Sequence, residues 1–203
     1  MIVKIDVDGV IRDIFTKMCK VYNEIFGLEL TPMDIFDYDV EKVFPKIRET
    51  LHMDASYFFF ERLSKDIFFK SKPYNGVKES IQELMDAGHK VVIVTWQKTD
   101  ESKINTINFL KKYNIPYDDI CFTRDKWMIN GDWLIDDNPE FILDKKDLSN
   151  KIMINMPFNV NTEFSGIRVN NLSEAINLIL KKDVRFREKV FTFRYNDCSK
   201  CDF

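Results

Sequence analysis

Two aspartates lie at the end of the first apolar segment of the chain. Asp6 and Asp8 stand one residue apart in a run otherwise rich in valine and isoleucine, and Gly9 follows them. Carboxylates in such a segment cost free energy unless a cation meets them. A magnesium ion and a phosphate-bearing molecule are the partners that would explain the pair, so this segment indicates phosphoryl-transfer chemistry.

Three further polar features follow apolar runs downstream. Thr95 ends the run 91–94, Lys126 lies in a polar loop, and Asp136 and Asp137 end the run Trp133-Leu134-Ile135. If these runs are parallel strands, their carboxyl ends meet at one edge of a sheet. Several carboxylates would then share a small volume, where like charges raise one another's pKa unless a cation intervenes. Magnesium prefers such oxygen ligands. The candidate metal ligands are Asp6, Asp8, Asp136 and Asp137.

Composition limits the classes of function. The chain has 203 residues, 45% of them hydrophobic, which is enough for a full core. Its formal net charge is −3, so a nucleic-acid partner is disfavoured because it calls for a basic surface. No apolar run is long enough for a membrane span. The first residues have the pattern of a strand and not of a signal peptide, and we therefore expect a cytoplasmic protein.

Apolar runs alternate with helical patterns along most of the chain. This alternation predicts an α/β fold with a doubly wound, mostly parallel sheet. For the helix that begins at Asp100 we expect a capping role for Asp100 and a buried face that includes Ile104 and Ile107. The predicted strands are Ile2–Val7, Val91–Thr95, Asp119–Phe122, Trp133–Asp136, Ile152–Asn155 and Ile167–Asn170, and the main predicted helices are Gly76–Ala87, Asp100–Tyr113 and Ser173–Lys182.

The first connection in this alternation is unusually long. More than sixty residues separate the strand at Val7 from the helix near Gly76, and a simple crossover needs far fewer. The intervening segment has helical patterns of its own. We therefore predict a core domain of residues 1–13 and 73–182, a small helical cap of residues 14–72 over the carboxyl ends of the strands, and a C-terminal extension of residues 183–203.

The order of the motifs resembles that of a known superfamily. Asp6-x-Asp8-Gly9-Val10, Thr95 after an apolar strand, Lys126, and Asp136-Asp137 are similar to the four motifs of the haloacid-dehalogenase-like (HAD) phosphatases. Within that superfamily, Phe122-Thr123-Arg124-Asp125-Lys126, Asp132-x-Leu134-Ile135-Asp136-Asp137-x-Pro139 and the inserted cap resemble the 5′(3′)-deoxyribonucleotidase branch. The resemblance covers most of residues 1–180.

The resemblance implies a role for each matched residue. Asp6 would attack phosphorus and carry an aspartyl-phosphate, and Asp8 would protonate the leaving group and then activate water. Asp6, Asp136 and the backbone carbonyl of Asp8 would hold Mg²⁺, with Asp137 close to the metal or orienting Lys126. Thr95 and Lys126 would bind the phosphate and neutralise its charge.

The substrate is expected to lie between core and cap. On the core side, the residues implied by the resemblance are Trp96, Gln97, Lys98 and Arg124; for Arg124, an exposed salt bridge is an equally good interpretation. On the cap side, the candidates for stacking on a nucleobase are Phe15, Phe36 and Tyr38. Aromatic residues at helical spacing also serve as core, and Trp96 replaces the small residue expected after the motif threonine.

The sequence therefore predicts a Mg²⁺-dependent phosphomonoesterase that acts on nucleoside monophosphates. The alternatives are the same chemistry on a sugar phosphate or a nucleic-acid end, and a non-catalytic nucleotide-binding module. Cys19 and Cys121 are expected to be buried thiols, and Cys198 and Cys201 a solvated pair. The basic and aromatic residues after Asp183 are consistent with an added strand or with a contact between two copies in a homodimer.

Overall fold

Parallel strands form the central layer of the protein. The computed structural model describes residues 1–183, within which one sheet has the strand order β5-β4-β1-β6-β7-β8 and every neighbouring pair is parallel. The strands are apolar on both faces because helices cover the sheet on both sides. Their bounds are Ile2–Ile5 (β1), Lys90–Thr95 (β4), Asp119–Phe122 (β5), Trp133–Asp136 (β6), Asn150–Ile154 (β7) and Ile167–Val169 (β8).

All six predicted strands are present, and the predicted α/β fold is confirmed. β1 lies between β4 and β6, with Ile5 opposite Ile93 on one side and Ile135 on the other. The polar residues that follow these three strands are therefore neighbours at one edge of the sheet. The helices around the sheet are Val77–Asp86 (α5), Asp100–Lys112 (α6), Pro139–Ile142 (α7) and a helix over residues 172–183 (α8).

Helix α6 differs in detail from the prediction. Its N-cap is Thr99, which shares a capping box with Ser102, so Asp100 is the first helical residue. Ile104 and Ile107 are exposed, and the buried face is partly polar. The reason is that α6 packs against the inserted segment, where Asn105 donates to Ser64, and against the core residue Arg12, from which Thr106 accepts. The buried residues of this face are Ser102, Asn105, Thr106, Phe109 and Leu110.

The inserted segment begins and ends at a short antiparallel ribbon. Strand β2 (Arg12–Asp13) pairs with β3 (Lys72–Pro73), so the chain leaves and re-enters the core side by side. Asp13 caps the first helix by accepting from the backbone N–H of Thr16. The elements in between are Ile14–Phe26 (α1), a 3₁₀ turn at Pro32–Asp34, Val40–Val43 (α2), Pro45–Leu51 (α3) and Ala55–Tyr57 (α4), which continues into π-helical turns at Phe58–Arg62 and Lys65–Phe69.

Two large hydrophobic clusters accompany this arrangement. One contains the central strands with α5 and α8, and the other lies within the inserted segment, around Met18, Tyr22, Phe44 and Phe59. Separate clusters support the predicted division into core and cap, which stays a prediction. Cys19 belongs to the second cluster, and burial raises the pKa of its thiol to about 11. Cys121 is only half-buried, because it lies on the edge strand β5.

The predictions about the C-terminus fall largely outside the described residues. Cys198, Cys201 and the basic and aromatic residues after Asp183 all lie there. Among residues 1–183, no helix is long and apolar enough to span a membrane. Location in the cytoplasm stays a prediction.

Candidate active site

Three buried carboxylates and one buried lysine meet at the carboxyl ends of β1 and β6. Asp6, Asp136 and Asp137 each offer an oxygen within 4.8 Å of the others. The ammonium nitrogen of Lys126 lies 2.8 Å from Asp6 Oδ1 and 2.6 Å from Asp136 Oδ2. Lys126 reaches them from the start of a 3₁₀ turn, Lys126–Met128. The predicted residues Asp6, Lys126, Asp136 and Asp137 therefore lie together, and this group has three carboxylates for one ammonium.

Burial and mutual repulsion perturb these groups strongly. Burial raises the pKa of Asp6 to about 7; Lys126 opposes this rise, whereas Asp136 and Asp8 add to it. The pKa of Asp137 is also raised, by burial and then by Asp136 and Asp6. Burial alone would lower the pKa of Lys126, but Asp136 and Asp6 outweigh it and raise the value. A site with this imbalance favours an added cation.

Gly9 makes room for one of the carboxylates. Its φ is +74°, a backbone conformation that glycine adopts without a steric penalty. A Cβ atom built there would lie 1.8 Å from Asp137 Oδ2. Both the backbone and the close approach therefore require glycine after Asp8, which explains the Asp8-Gly9 pair beyond its value as a turn signal.

The Asp8 carboxylate is not a member of the buried cluster. Its Oδ1 atom is 2.6 Å from Arg12 Nε and its Oδ2 accepts from Gln97 Nε2 at 2.8 Å. Arg12 is completely buried, and the side chain of Asp8 is 26% exposed. The expectation that the Asp8 carboxylate shares one small volume with the other three is therefore not met by the geometry, because Arg12 and Gln97 hold it elsewhere. A contribution of Asp8 to the metal site through its backbone carbonyl stays a prediction. Asp8 faces the cleft described next.

A cleft of about 480 Å³ opens above the carboxylates, between the core and the inserted segment. Asp6, Asp8 and Asp137 line its floor, while Thr95, Lys126 and Asp136 are buried at its base. The rest of its wall comes mainly from the inserted segment and the loop after β4. These residues are Ile14, Phe15, Met18, Tyr38, Asp39, Val40, Ser56, Phe60, Glu61, Phe68, Trp96, Gln97, Lys98 and Ser102.

Five of the seven predicted substrate residues line this cleft, namely Phe15, Tyr38, Trp96, Gln97 and Lys98. The other two do not. Phe36 is 65% exposed and is not among the residues that line the cleft. It follows a short 3₁₀ turn, Pro32–Asp34, whose place relative to the cleft the sequence pattern did not determine.

Arg124 lies behind the wall of the cleft. Its guanidinium stacks on the Trp96 ring, 5.3 Å from the centroid, and binds Glu140 at 2.5 Å. The contact with Glu140 is the exposed salt bridge that the sequence analysis gave as the second interpretation of Arg124. Because it also supports Trp96, Arg124 affects the cleft indirectly, through the orientation of that ring.

The inserted segment contacts the core across the cleft at two places. Lys98 of the core pairs with Glu61 at 3.0 Å. Phe158, in a core loop, makes edge contacts with the rings of Phe15 and Tyr38. Tyr38 is 49% exposed as a whole, but burial and then the charges of Asp137 and Asp6 raise the pKa of its phenol well above the usual value. These contacts bridge the inserted segment and the core beside the acidic floor of the cleft.

Sequence reasoning missed several residues of the site. Arg12 has no motif of its own; the one signal in the sequence is an arginine four residues after Asp8 in an apolar run, where a buried guanidinium needs an acidic partner. Met18 and Phe60 were expected only as part of helical patterns in the cap. Phe68 belongs to a stretch, Ile67-Phe68-Phe69, that resembles the deoxyribonucleotidase branch, but it was not expected in the cleft. Their place in the cleft depends on how the inserted segment folds back, which periodicity does not determine.

Comparison with known proteins identifies the family. Residues 1–186 match the family model described as 5′ nucleotidase, deoxy (pyrimidine), cytosolic type C protein. The chain belongs to this nucleotidase family. A relative from Clostridium acetobutylicum, described as a 5′(3′)-deoxyribonucleotidase, is 30% identical over 138 residues, which cover 66% of this chain and 72% of the relative. The predicted resemblance to this branch and the prediction of a phosphoric monoester hydrolase are confirmed.

Solved structures confirm the HAD-like fold. A predicted phosphatase from C. acetobutylicum has a TM-score of 0.57 at 19% identity, covering 89% of this chain and 98% of that one. L-2-haloacid dehalogenase from Xanthobacter autotrophicus has a TM-score of 0.59 at 10% identity, covering 88% and 97%. The second enzyme is named for dehalogenation, so the shared fold by itself does not identify the reaction.

Proposed function

We propose that this nucleotidase-family protein is a Mg²⁺-dependent phosphomonoesterase that acts on nucleoside monophosphates through an aspartyl-phosphate. The observation that carries the proposal is the buried group of Asp6, Asp136 and Asp137 with Lys126 at the floor of the cleft. A non-catalytic binding module would not need these carboxylates buried together, since their repulsion costs stability.

The donor set fits magnesium. It consists of hard carboxylate oxygens, it carries excess negative charge, and it lies next to a cleft that can admit a phosphate. Asp6, Asp136 and Asp137 would hold the ion, and Asp8 would contribute through its backbone carbonyl because its carboxylate is engaged elsewhere. When bound, the ion would neutralise negative charge on the phosphate and the attacking carboxylate.

The side chains around it would divide the chemistry. Asp6 would attack phosphorus, since it is at the cleft floor and Lys126 fixes one of its oxygens. Asp8 would give a proton to the leaving oxygen and later take one from water, because it is the partly exposed carboxylate beside Asp6. Lys126 and Thr95 would stabilise charge on the phosphoryl oxygens from below.

The cleft supports a nucleotide as the substrate. Its volume of about 480 Å³ lies in the range of small-molecule sites. Phe15, Tyr38 and Trp96 offer aromatic faces for a nucleobase, and Lys98 offers a polar contact above the floor. The amide nitrogen of Gln97 is already engaged, because it donates to Asp8. The name of the C. acetobutylicum relative points to deoxyribonucleotides, and we extend that class of substrate to this chain.

A phosphate-release screen tests the proposal. The panel consists of deoxy- and ribonucleoside 5′- and 3′-monophosphates, sugar phosphates and phosphorylated oligonucleotide ends, each with Mg²⁺ and with EDTA. We expect Mg²⁺-dependent release from nucleoside monophosphates. Preference for sugar phosphates would reject the substrate class, and no release from any compound would reject the hydrolase proposal.

The variant Asp6→Asn tests the mechanism within that screen. It keeps the shape of the side chain but removes the nucleophile, so we expect turnover to fall by at least ~10³-fold. Asp100→Asn is the matched control, because Asp100 is an exposed carboxylate at the start of α6. Near-normal turnover of Asp6→Asn would contradict the proposed role of Asp6.

A further inference from the structure

A buried arginine lies behind Asp8. The Arg12 side chain has no exposed surface, and it donates through Nη1 to the carbonyl of Phe68 at 2.8 Å and through both Nη1 and Nη2 to Thr106 Oγ1 at 3.2 Å. The rings of Phe68 and Phe109 lie 4.9 and 5.0 Å from its Cζ atom. The inserted segment and α6 therefore fix the Arg12 side chain independently of its contact with Asp8.

Asp8 is in turn held at both of its oxygens. Arg12 occupies Oδ1 from inside the protein, at 2.6 Å, and Gln97 donates to Oδ2 at 2.8 Å from the loop after β4. Gln97 is itself buried. Because each oxygen has its own donor, the plane of the carboxylate is fixed and its open side faces the cleft.

From these contacts we infer that Arg12 and Gln97 are positioning residues that aim the Asp8 carboxylate at the leaving-group oxygen of the substrate. The inference rests on the proposed function of Asp8 in proton transfer. A purely structural ion pair would need only Arg12 and its contact with Phe68, whereas the second donor, Gln97, lines the cleft and holds the other oxygen of Asp8. Fixing a proton donor within a few tenths of an ångström is what such paired contacts achieve.

Two substrates with different leaving groups can distinguish a role of Arg12 and Gln97 in positioning Asp8 from a role in the stability of the fold. As the bond between phosphorus and the leaving oxygen breaks, the proton of Asp8 passes to that oxygen, which a nucleoside alkoxide needs. The p-nitrophenolate anion leaves without a proton, so p-nitrophenyl phosphate does not depend on this transfer. The value of kcat/KM covers the steps up to departure of the leaving group, and it is therefore the quantity to compare.

The experiment measures kcat/KM for a nucleoside monophosphate and for p-nitrophenyl phosphate with Arg12→Lys and Gln97→Leu. A positioned acid contributes about 10²- to 10⁴-fold to rate. With its orientation relaxed, we expect the nucleotide value to fall by about 10- to 100-fold and the p-nitrophenyl phosphate value to change far less. If Arg12→Lys fails to fold, Gln97→Leu decides the question, because it removes one donor to Asp8 and leaves the contacts of Arg12 with Phe68 and Thr106 in place.

Ile81→Val is the control for lost stability, since Ile81 is fully buried in α5 and lies outside the cleft. It is expected to leave the ratio of the two kcat/KM values unchanged. Equal losses on both substrates in Arg12→Lys and Gln97→Leu would overturn the inference while leaving the proposed function intact. A wild-type protein that hydrolyses neither substrate would overturn both.

Discussion

Among residues 1–183, two lysines are buried beside carboxylates, and they differ in charge balance. Lys4 lies 2.6 Å from Asp147 and also donates to the carbonyls of Lys126 and Ile129, so its three protons and one carboxylate are matched. Lys126 faces Asp6 and Asp136, with Asp137 beside them. The first group is neutral and fully hydrogen-bonded, whereas the second carries a negative excess.

The pKa shifts follow this difference. Burial alone would raise the pKa of Asp147, but hydrogen bonds from Lys4 and Ser149 outweigh it and lower the value. At the other lysine, burial and neighbouring carboxylates raise the pKa of Asp6 to about 7 despite Lys126. A balanced buried pair is what structural ion pairs need, and an unbalanced one indicates a site that binds something else. Substitutions at the two groups should therefore have different effects: those at the Lys4 group should lower stability, and those at the Lys126 group should lower activity.

The largest expected effect is on activity, at the unbalanced group, which is Lys126 with Asp6, Asp136 and Asp137. Lys126→Met keeps an unbranched side chain that is shorter by one atom, and it removes the charge that faces Asp6 and Asp136. Loss of one such charge-stabilising group costs about 10²- to 10³-fold in rate, and we expect kcat/KM for a nucleoside monophosphate to fall accordingly. Steady-state phosphate release measures it.

Lys4→Met is the matched control for this loss. It removes the same charge from a buried lysine that contacts the Lys126 loop only at backbone carbonyls. It should reduce stability and leave far more activity than Lys126→Met at a temperature where both variants are folded. If the two variants lost activity equally, the distinction between the groups would be wrong.

The next largest effect is on stability, at the balanced group. Asp147→Asn leaves the ammonium of Lys4 in the interior without a carboxylate partner. Breaking a buried pair from one side costs about 3–5 kcal/mol, so we expect a loss near the lower end of this range, because the asparagine oxygen still accepts a hydrogen bond. Urea unfolding followed by fluorescence measures the change in the free energy of unfolding.

Activity of Asp147→Asn completes that test. Asp147 lies outside the cleft lining, so kcat/KM should stay close to the wild-type value well below the unfolding midpoint. A loss comparable with that of Lys126→Met would show that Asp147 belongs to the catalytic machinery and that charge balance does not separate the two groups.

The sequence predicted the unbalanced group and missed the balanced one, and the reason is topological. Asp6, Thr95 and Asp136 each follow an apolar strand, and parallel strands place such residues at one edge whatever the details of packing. Lys4 gives no comparable signal: a lysine inside β1 would be expected on an exposed face. Its partner is 143 residues away, and no periodicity or motif connects them.

The cleft wall was predictable in part for the same reason. Trp96, Gln97 and Lys98 follow β4 directly, so strand topology places them at the edge. Phe36 was misplaced and Phe60 and Phe68 were missed, because their positions depend on short helical turns within the inserted segment. Arg12 was missed because only tertiary packing against Phe68 and Thr106 brings a guanidinium into the interior.

The smallest expected effect is a dependence on pH that distinguishes the balanced group. The folded-state pKa of Asp147 is below its ordinary value of 3.8, so its contribution to stability is fully present above pH 3.8 and is lost as the pH falls through the folded-state value. The difference in unfolding free energy between wild type and Asp147→Asn should therefore be constant from neutral pH to about pH 5 and shrink below pH 3.8. Urea unfolding at a series of pH values measures that difference, with Asp100→Asn as the exposed control. A difference that disappeared already near pH 7, where Asp6 titrates, would mean that Asp147 is coupled to the carboxylates at the cleft floor and that the two buried lysines belong to one electrostatic unit.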